Sequence, residues 1–89
     1  MSKTMTADEI SAAEREMFPD ADPERPYFPD AQVTLTGGSD HAVLIFMKVR
    51  RALERAGACP EEVALFMRIV TSGDYNNVLA TCMRWAEVS

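Results

Sequence analysis

The stretch TSGDYNNVLATCMRW, residues 71–85, sets how the whole chain is read. Gly73 marks a tight turn and Asp74 is a good N-cap, so one helix ends and another begins almost at once. In the second helix Tyr75, Val78, Leu79, Cys82 and Ala86 recur at helical spacing and define an inner face, with Met83 and Trp85 at its margins. Asn77, Ala80, Thr81 and Arg84 are then expected to face outward. Two readings of that polar face compete. Asn and Arg pair well with base edges, which makes the segment a candidate recognition helix of a helix-turn-helix. The other reading is the wet side of a packed helix. Nucleic-acid binders gain most of their affinity from cations on phosphates. This helix carries one cation, so the packed-helix reading leads.

Upstream, residues 60–71 form the preceding helix of the pair. Pro60 suits the first helical position, and Glu61 and Glu62 suit the positive end of the helix dipole. Val63, Phe66, Met67 and Val70 make a core stripe. Leu65 and Ile69, four apart, make a second stripe nearly opposite. They are either a partner surface or a face covered by the strand or the Pro-rich segment.

The strongest helix is SDHAVLIFMKVRRALERAG, with its helical part at about 40–56, a cap at Ser39 or Asp40 and a stop at Gly57. Ala42, Ile45, Phe46, Val49, Ala52, Leu53 and Ala56 gather on one face. Lys48, Arg51 and Arg55 gather on another. Val43, Leu44 and Met47 lie off the core face, so Leu44 and Met47 join Leu65 and Ile69 as candidate partner contacts. The basic stripe suits phosphate, an acidic partner or the chain's own acidic leader. The alternative is a solvated face, with Glu54 among the cations.

Before this helix, QVTLTGG alternates apolar and polar residues and predicts a strand over 32–36. A strand needs a neighbour. The tail WAEVS supplies one as an antiparallel ribbon, or a second copy of the chain supplies it and makes a dimer. Residues 18–31 hold four of the five prolines and read as an extended linker. Its aromatics Phe18, Tyr27 and Phe28 are expected to lie on the edge of the core. Residues 6–17 start with a capping box, Thr6 and Glu9, and carry a thin apolar stripe of Ile10, Ala13 and Met17, which predicts a frayed or peripheral helix.

Charge separates the chain in two. Residues 1–31 carry three cations and eight anions, whereas residues 32–89 carry six of each, so the leader accounts for the whole net charge of −5. The folded part therefore has no general repulsion for phosphate. No apolar run approaches the roughly 20 residues of a membrane span. No signal-peptide layout opens the chain, and Cys59 and Cys82 read as free thiols in a reducing cytoplasm. The absence of CxxC or HxxxH spacing argues against zinc. Gly37-Gly38-Ser39-Asp40 lacks the lysine and spacing of a phosphate loop. Cys59 at a helix start is the one nucleophile to weigh, but Glu61 and Glu62 oppose thiolate formation and His41 is the sole histidine. No catalytic, cofactor or metal residue is expected.

VRRALERAG followed by SGDYNNVLATCMRW resembles a small family of bacterial and phage-borne proteins of uncharacterised function. The matching positions are Val49, Arg50, Arg51, Ala52, Gly57, Thr71, Ser72, Gly73, Asp74 and Tyr75. The turn before the first helix reads SDHA where that family usually has DGNA. The resemblance spans roughly residues 33–88 and implies a strand, a glycine turn, an arginine-pair helix, a TSGDY turn and a final helix. It implies no activity.

The combined expectation is a mainly α, small α+β domain over 32–89. It comprises one short strand, a three-helix bundle with helices at about 40–56, 60–71 and 74–86, and a possible C-terminal strand. An acidic, partly disordered leader (1–31) precedes it. The expected function is a non-enzymatic interaction or accessory protein. It would act through Leu65, Ile69, Leu44 and Met47 together with Lys48, Arg51 and Arg55, on another protein or on itself. Self-association would use the 32–36 strand or the Leu65/Ile69 patch. The alternative is a nucleic-acid-binding regulator using Asn77, Thr81 and Arg84.

Overall fold

Capping chemistry fixes the helix boundaries. In the computed structural model, which describes residues 5–22, 24–34 and 41–88, the order is α1 (Ala7–Met17), β1 (Phe28–Val33), α2 (Ala42–Arg55), α3 (Pro60–Val70), α4 (Tyr75–Trp85) and β2 (Ala86–Val88). The protein is mainly helical with a small two-stranded sheet, the class that the periodicities imply. The Thr6–Glu9 capping box opens α1. A Schellman motif closes α2: Gly57 N–H donates to the Glu54 carbonyl and Ala58 N–H to the Leu53 carbonyl. Gly57 takes φ +96°, which side-chain-bearing residues rarely adopt. The Cys59 amide then donates to Glu62 Oε1 at 2.8 Å and starts α3 behind Pro60. His41 is the N-cap of α2; Ser39 and Asp40, expected in that role, lie outside the described residues.

The turn between α3 and α4 is held by short polar contacts. Ser72 Oγ donates to the Ile69 carbonyl at 2.7 Å, Asn77 Nδ2 reaches the same carbonyl at 2.8 Å, and Asp74 accepts from the Asn77 amide. A Cβ on Gly73 would sit 2.9 Å from the Asn77 Cβ, so only glycine lets Asn77 close the turn.

The strand departs from expectation in place and direction. It starts four residues earlier, at Phe28, inside the segment read as linker, while residues 35–36 lie outside the described residues. It pairs with β2 in parallel, not antiparallel, with Gln32 opposite Glu87 and Val33 opposite Val88. Parallel pairing needs a crossover, and α2, α3 and α4 provide it. Because α4 runs straight into β2, the tail returns in the direction of β1. The register breaks between Phe28 and Gln32, and this bulge accommodates Pro29, which has no amide to donate.

Trp85 centres the core. It is fully buried, with Phe66 at 5.6 Å and with Phe18, Tyr27 and Phe28 ranged around it at 5.0 to 6.1 Å between ring centroids. The linker aromatics thus lie on the core edge as expected. Ile45, Val49, Leu53, Phe66, Ile69, Val70 and Cys82 fill the rest. Tyr75, expected on the inner face, is instead 45% exposed. The radius of gyration is 12.3 Å, against about 12 Å for a compact globule of this length.

Replacing Gly57 by alanine is expected to cost about 1 kcal/mol. No atom lies within 4 Å of the added Cβ, so the loss isolates backbone strain. Urea unfolding followed by the sole tryptophan measures it.

Candidate interaction surface

Three surfaces invite a partner in the sequence, and the fold closes two of them. The first is the polar face of α4. Glu14 lies inside the apolar stripe of α1, between Ile10, Ala13 and Met17, and is 5% exposed. A buried carboxylate is costly unless hydrogen-bonded and paired. Here it accepts from Tyr27 Oη at 2.9 Å and Trp85 Nε1 at 3.0 Å. Arg84 donates to it through Nη2 at 3.0 Å and Nε at 3.2 Å. Arg84 Nη2 also donates to Thr81 Oγ1.

This corrects the expected outward face of α4. Thr81 is fully buried, Arg84 is engaged by Glu14, and Asn77 is half-buried and spent on the α3 turn. The signal in the sequence is an acid set in the middle of an apolar stripe, which implies a buried partner for it.

The second surface is the Leu65/Ile69 stripe. Leu65 is 8% exposed and Ile69 is fully buried. Both belong to one core cluster, against which Ile10, Ala13 and Met17 pack, and α1 contacts α3. Leu65 and Ile69 are therefore core residues, in a fold where α1 as well as α2 and α4 contacts α3. Of the surfaces expected to serve a dimer, β1 pairs along one edge with β2 of its own chain, and Leu65 and Ile69 are buried.

The third surface stays open. On α2, Leu44, Lys48, Arg51 and Arg55 fall within a narrow arc, since successive residues advance by about 100°. All four are exposed, as is Val43, and Met47 is half-buried. Among the described residues none of the three cations takes part in an ion pair; the pairs present are Arg50–Glu54 at 3.9 Å and Arg84–Glu14. Lys48, Arg51 and Arg55 edge a groove of about 390 Å³ whose other wall is Asp30, Gln32, Val33 and Thr34 of β1 and its exit. Arg50 turns the other way, towards a groove of similar size between α2 and α3, where its Nε is buried without a hydrogen-bond partner.

The described residues hold no cluster of three or more His, Cys, Asp or Glu able to bind a metal, and no helix among them is long and apolar enough to cross a membrane. Cys59 and His41 are exposed helix caps, while Cys82 is buried. Comparison of the chain with protein families, curated proteins and solved structures finds no match.

Two consequences of the Glu14 cluster are measurable. Glu14→Leu leaves the Tyr27 hydroxyl, the Trp85 indole and Arg84 without their acceptor. Because the Arg84 side chain is 38% exposed and water can reach it, the expected loss is discounted to about 1–3 kcal/mol, with Glu14→Gln losing less. Urea titration with tryptophan emission reads both.

Alkaline pH gives the second. Burial first, then the Glu14 hydrogen bond and charge, push the Tyr27 phenol from 10.0 to about 12, against the opposing pull of Arg84. Burial pushes the Cys82 thiol from 9.0 to about 12, again opposed by Arg84. Both groups hold their protons longer folded than unfolded. Their contribution is complete below the ordinary values and is lost as pH rises through the window to about 12. The unfolding midpoint is expected to fall over that window, and a thiol reagent at neutral pH to label Cys59 but not Cys82 in the folded protein.

Proposed function

We propose that the protein is a non-enzymatic interaction module that binds a partner protein through the outer face of α2. The observation that carries this reading is the row Leu44, Lys48, Arg51 and Arg55, exposed and without an ion-pair partner among the described residues. Lys48–Arg51 and Arg51–Arg55 are like-charge neighbours on one helix, and each such pair costs about 0.2–0.5 kcal/mol in isolation. The row therefore works against the stability of the free protein. Val43 and Leu44 lie exposed beside the three cations, which call for carboxylates on the partner.

A nucleic-acid partner is less well supported. Three cations are few for phosphate-driven binding, the chain as a whole is at −5, and the α4 residues suited to base edges are engaged internally. Two free thiols fit a reducing compartment, so we place the protein in the cytoplasm. The resemblance to bacterial and phage-borne proteins belongs to the same proposal.

Selection from a random-peptide display library tests it. The selected peptides are expected to be rich in Asp and Glu. Their binding should fall roughly tenfold, or about 1.4 kcal/mol, on Arg51→Glu. Selected peptides without acidic residues, or indifferent to that substitution, would overturn the reading. Salt-sensitive binding of mixed-sequence DNA tighter than that of any peptide would replace it with the nucleic-acid one.

A further inference from the structure

We infer that the partner seated on the α2 row is the leader helix of a second copy of this chain, which makes the contact head-to-tail. The inference rests on the reading of α2 as a binding face and names what it takes. The row needs carboxylates at helical spacing, and α1 carries them. Asp8, Glu9 and Glu16 are exposed on one side of α1, with the small residue Ala12 between them and Arg15 at the margin. Glu9 and Glu16 are seven residues apart, as are Lys48 and Arg55. Each pair spans about 10 Å of helix rise and returns to the same face. In the register that sets Glu9 on Lys48 and Glu16 on Arg55, Arg51 meets the small Ala12, between the two carboxylates.

The match is not used within one molecule. Glu14 anchors α1 to Arg84 and Trp85, and α1 packs on α3. No leader carboxylate forms an ion pair with Lys48, Arg51 or Arg55 among the described residues. Of the eight leader anions, Glu14 is buried and Asp30 lines the α2 groove. The other six, Asp8, Glu9, Glu16, Asp20, Asp22 and Glu24, are exposed. Each copy thus presents an acidic helix held away from its own basic one. Charge complementarity then favours a contact between unlike surfaces of two copies, which propagates or closes into a ring. Exposed ion pairs are individually weak and salt-screened, so the association is expected at high protein concentration and low salt.

Sedimentation velocity on the full chain up to about 1 mM tests this with two neutralised variants. One is Lys48→Gln, Arg51→Gln, Arg55→Gln; the other is Asp8→Asn, Glu16→Gln. Glu9 is left intact because it caps α1. The unmodified chain should exceed monomer mass at low salt and return to monomer as salt rises. Each variant alone should stay monomeric with unchanged helical circular dichroism. Their equimolar mixture has one intact pair of surfaces and should stop at a heterodimer. A chain that stays monomeric throughout, or associates equally well when neutralised, would overturn the inference. Peptide selection would still judge the α2 binding face by itself, so the two failures are distinguishable.

Discussion

The fold depends on the burial of one carboxylate. Glu14 is 5% exposed, and a carboxylate so buried is tolerated only where donors already converge. Tyr27, Arg84 and Trp85 converge there, from separate parts of the chain. Satisfying Glu14 therefore fixes α1, the approach to β1 and the last turn of α4 in one step. The contact also aligns the two strands. Tyr27 N–H donates to the Arg84 carbonyl, and one residue later Phe28 pairs with Ala86 and opens the parallel sheet.

The same cluster decides which surfaces remain free. It holds α1 against α3, where Ile10, Ala13 and Met17 pack on the core cluster to which Leu65 and Ile69 belong. It also engages Arg84, the one cation of α4, which in turn donates to the buried Thr81. Residues that look outward in sequence are thereby turned to internal work by a segment that looks loosely attached. The surface left over is α2, whose Lys48, Arg51 and Arg55 meet neither the leader nor Glu54 in an ion pair among the described residues.

Much of the architecture is legible from local chemistry. Thr6 and Glu9, Gly57, Pro60 and Asp74 each act on atoms within a few residues, so their caps and stops can be read directly and the helix ends fall within about two residues of expectation. Mainly helical class and the presence of a C-terminal strand rest on the same local signals. The strand is less legible. Periodicity favours Val33 and Leu35, but pairing is a long-range matter settled by where β2 emerges, and that depends on how three helices pack. Its direction has no local signal at all. The basic stripe at Lys48, Arg51 and Arg55 is legible because α2 is regular and its faces follow from steps of about 100°. Leu65 and Ile69 mislead because the cluster that buries them draws on every helix, α1 included, and helical spacing within α3 alone does not show that.

The thin apolar stripe of α1 has a physical explanation. Ile10, Ala13 and Met17 alone give a helix little to gain from docking, and a short helix is marginal by itself. Glu14 adds what the apolar stripe lacks, a directional anchor with four donor groups facing it. Anchoring by a polar contact fixes the rotation of α1 about its own axis, which apolar packing specifies less sharply. With Glu14 inward, Asp8, Glu9 and Glu16 must point outward. The buried acid thus sets the orientation of the exposed ones. The acidic outer face of α1, opposite in sign to the basic row of α2, is set by one hydrogen-bonded residue in the core.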